Sequence, residues 1–368
     1  MSILITGANG FIGRNLMVRL DELGTENILT FNRGQSIDEL RALVEEATAI
    51  IHLAGENRPK NLLDFATVNG ELTERICLFI RETKRHIPLI FSSSIQADNE
   101  TPYGSSKRRA EQAVSSLANE TGNPAAIIRL PNVFGKWCRP NYNSAVATFC
   151  HNIARGLNIT INDPSSLLTL VYIDDVVDTL IASAKPAEQG LRWIDIEPQY
   201  RMTVGELSEQ IKNFANSRAS LVSERVGTGL TRALYATYIS HLPTSAFAYD
   251  LPIHGDNRGV FVEMLKTPDC GQFSYFTAHP GITRGGHYHH TKSEKFLVLK
   301  GSARFGFRHV ITDEYHELFT SGNKPSVVET IPGWSHDITN VGDEELIVML
   351  WANEIFDRAK PDTISRSV

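Results

Sequence analysis

The sequence predicts an α/β fold built on a doubly wound parallel sheet, followed by an all-β barrel. Three observations predict it. Through about residue 200, short β-branched runs alternate with amphipathic helical stretches, the order that builds a parallel sheet covered by helices. A glycine pattern, Gly7-x-x-Gly10-x-x-Gly13, stands between the first such run and the first helical stretch. Beyond Pro243 the runs are short, strand-like and separated by Gly, Pro or Asn, with no helical periodicity among them.

In chain order, Ser2–Thr6, Asn27–Phe31, Ala49–Leu53, Ile87–Ser92 and Ala125–Leu130 read as strands. Phe11–Leu23, Ile37–Glu46, Asn69–Lys84 and Ser105–Asn119 read as the helices between them, and Leu207–Arg218 and Leu230–Leu242 as two closing helices. After these come strand-like Gly271–Ala278, Glu294–Lys300, Ser302–Arg308, Ser326–Thr330 and Glu345–Ala352. The change of texture places a boundary near residues 243–250, dividing the chain into 1–244 and 245–368. At 368 residues the chain is too long for one ordinary core and suits two domains.

With 42% apolar and 21% charged residues, both parts should fold as soluble globules. A net charge of −6 argues against a nucleic-acid or anionic-membrane partner. No apolar run approaches the ~18–20 residues that span a bilayer. The opening Met-Ser-Ile-Leu-Ile-Thr-Gly enters a strand without the charged start and cleavage site of a signal peptide. Cys77, Cys138, Cys150 and Cys270 show no paired spacing, so neither a disulfide framework nor a thiolate zinc site is expected, and the reducing cytoplasm is.

Glycines between a strand and a helix permit a tight turn and close approach of a pyrophosphate to the helix's positive end. Gly7, Gly10, Phe11, Ile12 and Gly13 are therefore expected to hold a dinucleotide. The second strand ends in Phe31-Asn32-Arg33, without the acidic residue that would bond a ribose 2′-hydroxyl. A guanidinium suits a 2′-phosphate, which favours NADPH; the alternative is that Arg33 is an ordinary solvated loop residue. Tyr103 and Lys107, four apart, share one helix face, and the ammonium is expected to lower the phenol's pKa. Ser94 is placed to bond the same substrate oxygen, with Ser92 and Ser93 as near competitors.

With His52-Leu-Ala-Gly55, Arg129-Leu-Pro-Asn-Val-Phe-Gly135 and Tyr172-Ile-Asp-Asp-Val176, these residues resemble the extended short-chain dehydrogenase/reductases. That family has a Rossmann fold and acts mostly on nucleotide sugars; the resemblance covers about the first 240 residues. It implies Tyr103 as catalytic acid, Lys107 also on the nicotinamide ribose, and Ser94 orienting the carbonyl. It further implies Leu53, Ala54 and Gly55 beside the cofactor and Asn132 in the nucleotide-sugar cleft. Lys136 and Arg139 are candidate diphosphate partners, or else ordinary surface charges.

The second site is argued from spacing: Gly281-x5-His287-x-His289-x4-Glu294-x6-Gly301, then Pro332-Gly333-x2-His336-x3-Asn340. Alternate strand residues face one side, so His287 and His289 should converge, while Tyr288 and His290 turn away. Glu294 enters the next strand, and His336 is expected from a strand across the barrel. Three imidazoles and a carboxylate suit zinc or another divalent first-row ion. His254, His279, His309 and His316 are expected to pack or lie on the surface. The two spacings resemble the cupin motifs, although Pro332 stands where a spacer residue is common.

Asp256–Glu263, Arg284–Tyr288 and Lys295–Gly301 resemble the 4-keto-sugar 3,5-epimerases of deoxysugar pathways. That likeness implies Arg284 on substrate, His287 as base and Lys295 stabilising an enolate. One histidine cannot readily be both a free base and a ligand. Either the metal polarises the ketone while another group moves the proton, or the metal is chiefly structural.

A proton beside a carbonyl is acidic because the carbanion delocalises into it, and reducing C4 removes that acidity. An epimerase followed by a 4-ketoreductase is thus an ordered pair. The stretches Leu53–Pro59, Phe134–Ser144 and Phe356–Thr363, with the order of the halves, resemble bifunctional enzymes of capsular polysaccharide synthesis over essentially the whole chain. This implies C3 epimerisation of UDP-2-acetamido-2,6-dideoxy-β-L-arabino-4-hexulose in the cupin half. The other half would then reduce C4 with NADPH to UDP-2-acetamido-2,6-dideoxy-β-L-talose, in a homodimer. Two rivals stand beside it: a single-activity reductase whose cupin serves dimerisation or ligand binding, and an iron-dependent cupin dioxygenase.

Overall fold

The computed structural model describes residues 2–58, 61, 65–185, 189–252, 254–256, 259–261, 264–265, 267, 271–354 and 359–368. Pro59, Cys270, Phe356 and parts of the Asp256–Glu263 motif (257–258, 262–263) lie outside the described residues, as does the side chain of His254. The chain divides into two compact units, one from Met1–Phe134 and Leu168–Arg201, the other from Gly135–Leu167 and Met202–Val368.

In the first unit β1 (Ser2–Thr6), α1 (Phe11–Glu22), β2 (Asn27–Phe31), α2 (Ile37–Glu46) and β3 (Ala49–His52) alternate. A π-helical turn, Phe65–Glu71, leads into α3 (Leu72–Thr83), β4 (Leu89–Ser94), α4 (Pro102–Thr121), β5 (Ala125–Leu130) and β6 (Asn132–Phe134). Helix α5 (Ala145–Ile153) falls in the second unit, after which β7 (Leu167–Tyr172), α6 (Ile173–Ser183), β8 (Leu191–Ile194) and β9 (Tyr200–Thr203) follow.

The main sheet runs β2-β1-β3-β4-β5-β8 and is parallel throughout. Every residue of β3 and β4 is buried, as a sheet covered on both faces requires. On one face Leu4, Ile50, Leu89 and Ile127 pack against Leu40 and Val44 of α2, Ile76 and Ile80 of α3, and Val114 and Leu117 of α4. The chain runs from β1 to β2 on one side and on to β3 on the other. The direction therefore reverses between β1 and β3, where Thr6 and His52 are in register. A crevice for ligands opens beyond the carboxyl ends of strands at such a reversal.

The second unit adds α7 (Val204–Ser220), α8 (Gly229–Ser240), β10 (Ala248–Asp250), β11 (His254–Asp256), β12 (Gly259–Phe261), β13 (Gln272–Ala278) and β14 (Thr283–Tyr288). It continues with β15 (Glu294–Lys300), β16 (Ser302–His309), β17 (Tyr315–Ser321), β18 (Ser326–Glu329), β19 (Trp334–Asn340), β20 (Leu346–Ala352) and β21 (Ile364–Ser365). Two five-stranded antiparallel sheets result, β10-β18-β15-β20-β13 and β17-β16-β19-β14-β21. Buried Phe296 of the first meets buried Phe305 of the second at 5.9 Å between ring centres.

All the strands and helices read from the sequence form, some of them, such as Asn27–Phe31 and Glu294–Lys300, with both ends as read and others with shifted ends. Among those not singled out are α5, α6, β14, β17 and β19. Strand β14 carries two adjacent glycines and β17 mixes polar with apolar residues, so their extended form rests on pairing with β19 and β16 rather than on local preference.

Candidate functional site

In the first unit Gly7 holds φ +74°, and a Cβ there would lie 2.8 Å from the Ala54 nitrogen. The loop after β1 thus touches the loop after β3, a contact only glycine permits. Leu53 N donates to the Thr6 carbonyl at 3.2 Å and Ala54 N to Thr6 Oγ1 at 3.1 Å. Gly10 caps α1 without a side-chain bond, and no acid stands in the first turn, so its N–H groups and positive end suit phosphate. His52 accepts or donates to Thr6 Oγ1 at 2.6 Å and to Thr73 Oγ1 at 2.9 Å, and burial lowers its pKa to about 3. It is a buried strut beneath this crevice.

The three serines at the tip of β4 are not equivalent. Ser92 Oγ donates to the His52 carbonyl at 3.2 Å and Ser93 Oγ to Glu111 Oε1 at 2.5 Å. Ser94 is the one whose side chain bears on the Tyr103 phenol, opposing the rise in its pKa, and it also accepts from Gln96 N at 3.1 Å. Their approach depends on Gly104, where a Cβ would lie 2.3 Å from the Gln96 carbonyl. Pro102 starts α4 and Thr101 caps it, accepting from Gly104 N at 3.0 Å.

Burial raises the Tyr103 pKa, with Ser94 opposing. The expected lowering by Lys107 is not what governs it. Lys107 is itself buried, its Nζ donating to the Ser92 carbonyl at 2.9 Å and lying 4.9 Å from the Phe91 ring centre. Burial brings its pKa down to about 8, against the attraction of Glu111. A Cβ on Gly55 would stand 3.4 Å from that Nζ, so Gly55 leaves the ammonium open toward the crevice loop.

Buried Asn69 did not emerge from the sequence. Its Nδ2 donates to the Glu56 carbonyl at 2.9 Å and to Ser106 Oγ at 3.0 Å, and its Oδ1 accepts from Glu56 N at 2.8 Å. It ties the loop after β3 to α4. Arg33 is 86% exposed and pairs with Glu56 at 2.6 Å. Asn132 is exposed and donates to the Thr169 carbonyl at 3.0 Å. In the second unit Lys136 is buried, its Nζ 5.3 Å from the Trp137 ring centre, so it is no ordinary surface charge. Arg139 is exposed over the Tyr142 ring.

The second unit brings His287, His289, Glu294 and His336 together, their ligand atoms all within 4.8 Å of one another. His336 does not come from across the barrel as expected: β19 is the hydrogen-bonded neighbour of β14, and His336 lies in register with His287. The bulge that sets this register falls at Gly285 and Gly286, with φ +99° and +77°. A Cβ on Gly285 would lie 2.8 Å from the His336 carbonyl. His289 sits just past β14, and Glu294 opens β15 in the other sheet, so the four residues join both sheets.

The set fits a divalent ion. His289 Nε2 and His336 Nε2 stand 3.2 and 3.4 Å from Glu294 Oε2, and neither buried nitrogen of His336 makes a well-formed hydrogen bond. Burial lowers the pKa of His287 to about 3 and also lowers that of His336. Burial pushes the Glu294 carboxyl up, but the neighbouring imidazoles of His289 and His336 outweigh it and hold the group well below its usual range. Neutral imidazoles at His287 and His336 beside an ionised carboxylate are protonation states that bind metal. Lys292 Nζ meets Glu294 Oε1 at 2.8 Å, a contact the spacing argument missed.

Lys295 is not brought to the imidazoles. Side chains alternate along β15, so Glu294 and Lys295 face opposite sides. Lys295 is buried against Glu329 and 3.3 Å from the Tyr249 hydroxyl, and Glu329 also pairs with Arg218. Burial opposes the Lys295 charge, but Glu329 prevails and raises its pKa. Arg284 is exposed over the Phe276 ring, and Tyr288 is buried against His290, 5.5 Å between ring centres. His309 and His316 pack on Trp334 and Phe247, and His279 is exposed.

The NAD-dependent epimerase/dehydratase family matches residues 3–193. The chain belongs to that family. Residues 254–364 match the polysaccharide biosynthesis C-terminal domain. A UDP-2-acetamido-2,6-beta-L-arabino-hexul-4-ose reductase of Pseudomonas aeruginosa is 56% identical over 368 residues, covering 100% of this chain and 99% of the relative. The crystal structure of the capsular polysaccharide assembling protein CapF from Staphylococcus aureus is 38% identical with TM-score 0.66, each chain covered in full. A dTDP-glucose 4,6-dehydratase of Bacillus anthracis, solved with NAD, matches 58% of this chain and 80% of its own at 18% identity and TM-score 0.53, a likeness of fold.

Proposed function

We propose that the chain is a two-site nucleotide-sugar enzyme of capsule or surface polysaccharide synthesis. Its substrate is UDP-2-acetamido-2,6-dideoxy-β-L-arabino-4-hexulose. Residues 245–368 epimerise C3, and residues 1–244 reduce the C4 ketone with NADPH to UDP-2-acetamido-2,6-dideoxy-β-L-talose. The observation that carries the reductase reading is that Ser94 bears on the Tyr103 phenol while Ser92 and Ser93 are engaged elsewhere. It is supported by the 56% identity to a protein named a reductase of this kind of 4-keto sugar.

Gly7–Gly13 and Leu53–Gly55 would hold NADPH, which would supply the hydride. Ser94 holds the C4 oxygen, and Tyr103 gives that oxygen its proton, which a phenol kept protonated by burial is poised to do. Lys107 would bind the nicotinamide ribose, and Arg33, paired with Glu56, would bind the 2′-phosphate. Asn132, Lys136 and Arg139 bind the UDP-sugar for reduction, and Arg284 binds it for epimerisation.

His287, His289, Glu294 and His336 would hold a divalent metal, zinc by donor type, which supplies Lewis acidity and links the two sheets. Lys295 belongs in this reading to the frame of the epimerase half, held by Glu329. The enzyme works as a homodimer in the cytoplasm.

The test is product NMR from the 4-keto sugar in D2O, with and without NADPH. Without NADPH, deuterium should enter C3 of the ketone; with it, the labelled talo product should form. No deuterium at C3 leaves a single-activity reductase with the cupin as a dimerisation or ligand-binding module.

A further inference from the structure

We propose that Asp362, in the carboxyl-terminal strap, is the positioning residue that holds the metal loop and fixes the orientation of His289. The proposal rests on the metal reading of His287, His289, Glu294 and His336. The loop between β14 and β15, residues 289–293, carries one ligand and ends on another, yet has no secondary structure of its own to hold it.

Asp362 supplies what the loop lacks. Its Oδ1 accepts from His290 N at 2.8 Å; its Oδ2 accepts from Thr291 N and Lys292 N, both at 2.7 Å, and from Thr291 Oγ1 at 3.1 Å. Three successive backbone donors thus close on one carboxylate, an anion nest built from the loop. The Asp362 carbonyl meanwhile bonds His289 Nδ1. A carbonyl can only accept, so Nδ1 carries a proton, and Nε2, 3.2 Å from Glu294 Oε2 where the other ligands gather, is the nitrogen that would face a metal. One residue therefore sets both the path of the loop and the tautomer of the ligand.

The strap is anchored independently of that residue. Strand β21 pairs with β14, Ser365 opposite His287 and Ile364 opposite Tyr288. Arg366 N donates to the Gly286 carbonyl at 2.8 Å, and its guanidinium donates to the Val310 carbonyl at 3.0 Å. Asn353 adds a second hold on the loop, accepting from Ser293 N at 2.9 Å.

The test measures Co2+ binding to the full-length chain by chelator competition and by its visible absorption, in wild type, Asp362→Asn, Asp362→Ala, Arg366→Ala and His289→Ala. Both Asp362 variants should bind Co2+ about 10- to 100-fold more weakly than wild type. Their residual complex should show altered ligand-field bands, because the loop that carries His289 is no longer held against the Asp362 carbonyl. Arg366→Ala loosens the strap without touching the loop and should bind within about twofold of wild type, whereas His289→Ala marks full loss of a ligand. Unchanged affinity and spectrum in both Asp362 variants overturn the proposal while leaving the metal site standing. Equal weakening by Arg366→Ala overturns it too, since general loosening then suffices. A wild-type chain that takes up no divalent metal overturns the metal reading and this proposal with it.

Discussion

Glu294 and Lys295 are adjacent in sequence and face opposite sides of β15, one toward three imidazoles and the other into an ion pair with Glu329. Buried Lys295 and half-buried Arg218 share that single carboxylate. Removing it strands the Lys295 charge away from water. Glu329→Gln should therefore cost about 3–5 kcal/mol of stability, read by denaturant unfolding of the second unit. A loss under about 1 kcal/mol would show that water reaches the cluster.

Tyr103→Phe keeps the ring against Phe65 but removes the proton donor. NADPH oxidation should fall by about 10²- to 10⁴-fold, while deuterium exchange at C3 continues at the wild-type rate. Loss of both activities would tie the two sites together in a way this assignment does not allow.

Arg33→Ala should weaken NADPH by about 1.5–3 kcal/mol, the scale of a hydrogen bond to a charged group, and leave NADH nearly unchanged. Titration of both cofactors decides it; an equal loss for the two removes Arg33 from the 2′-phosphate.

His52 stays neutral in the folded chain, with a pKa of about 3, because burial between Thr6 and Thr73 opposes its charge. Unfolded, it takes a proton below about pH 6.5. Its contribution to stability is thus complete above that pH and is lost as pH falls toward about 3, by about 1.4 kcal/mol per pH unit. His52→Gln should flatten the wild-type decline between about pH 6.5 and about pH 4.5 by that amount. Parallel curves for the two proteins would place the acid sensitivity elsewhere.

Much of both sites is written as local spacing. The Gly7–Gly13 pattern folds as a strand–turn–helix because glycine conformation and helix start are properties of neighbouring residues. Tyr103 and Lys107 share a helix face because one helical turn brings residues four apart together. The ligand set was legible in the same way, as two short spacings. Ser94 was harder to single out. Three consecutive serines look alike until Ser92 and Ser93 are seen to be engaged by His52 and Glu111, which lie 40 and 18 residues away.

The sequence alone determined the order of elements, the cofactor loop, the tyrosine–lysine pair and the four residues fit for a metal, since each follows from residue types at short range. Only the tertiary structure decided that His336 stands beside His287 and that Lys295 turns its back on the imidazoles. It also decided which side chains hold the two site loops, Asn69 in the first unit and Asp362 in the second. Strand pairing and hydrogen bonds between distant segments fix those relationships, and neither has a local signature in the chain.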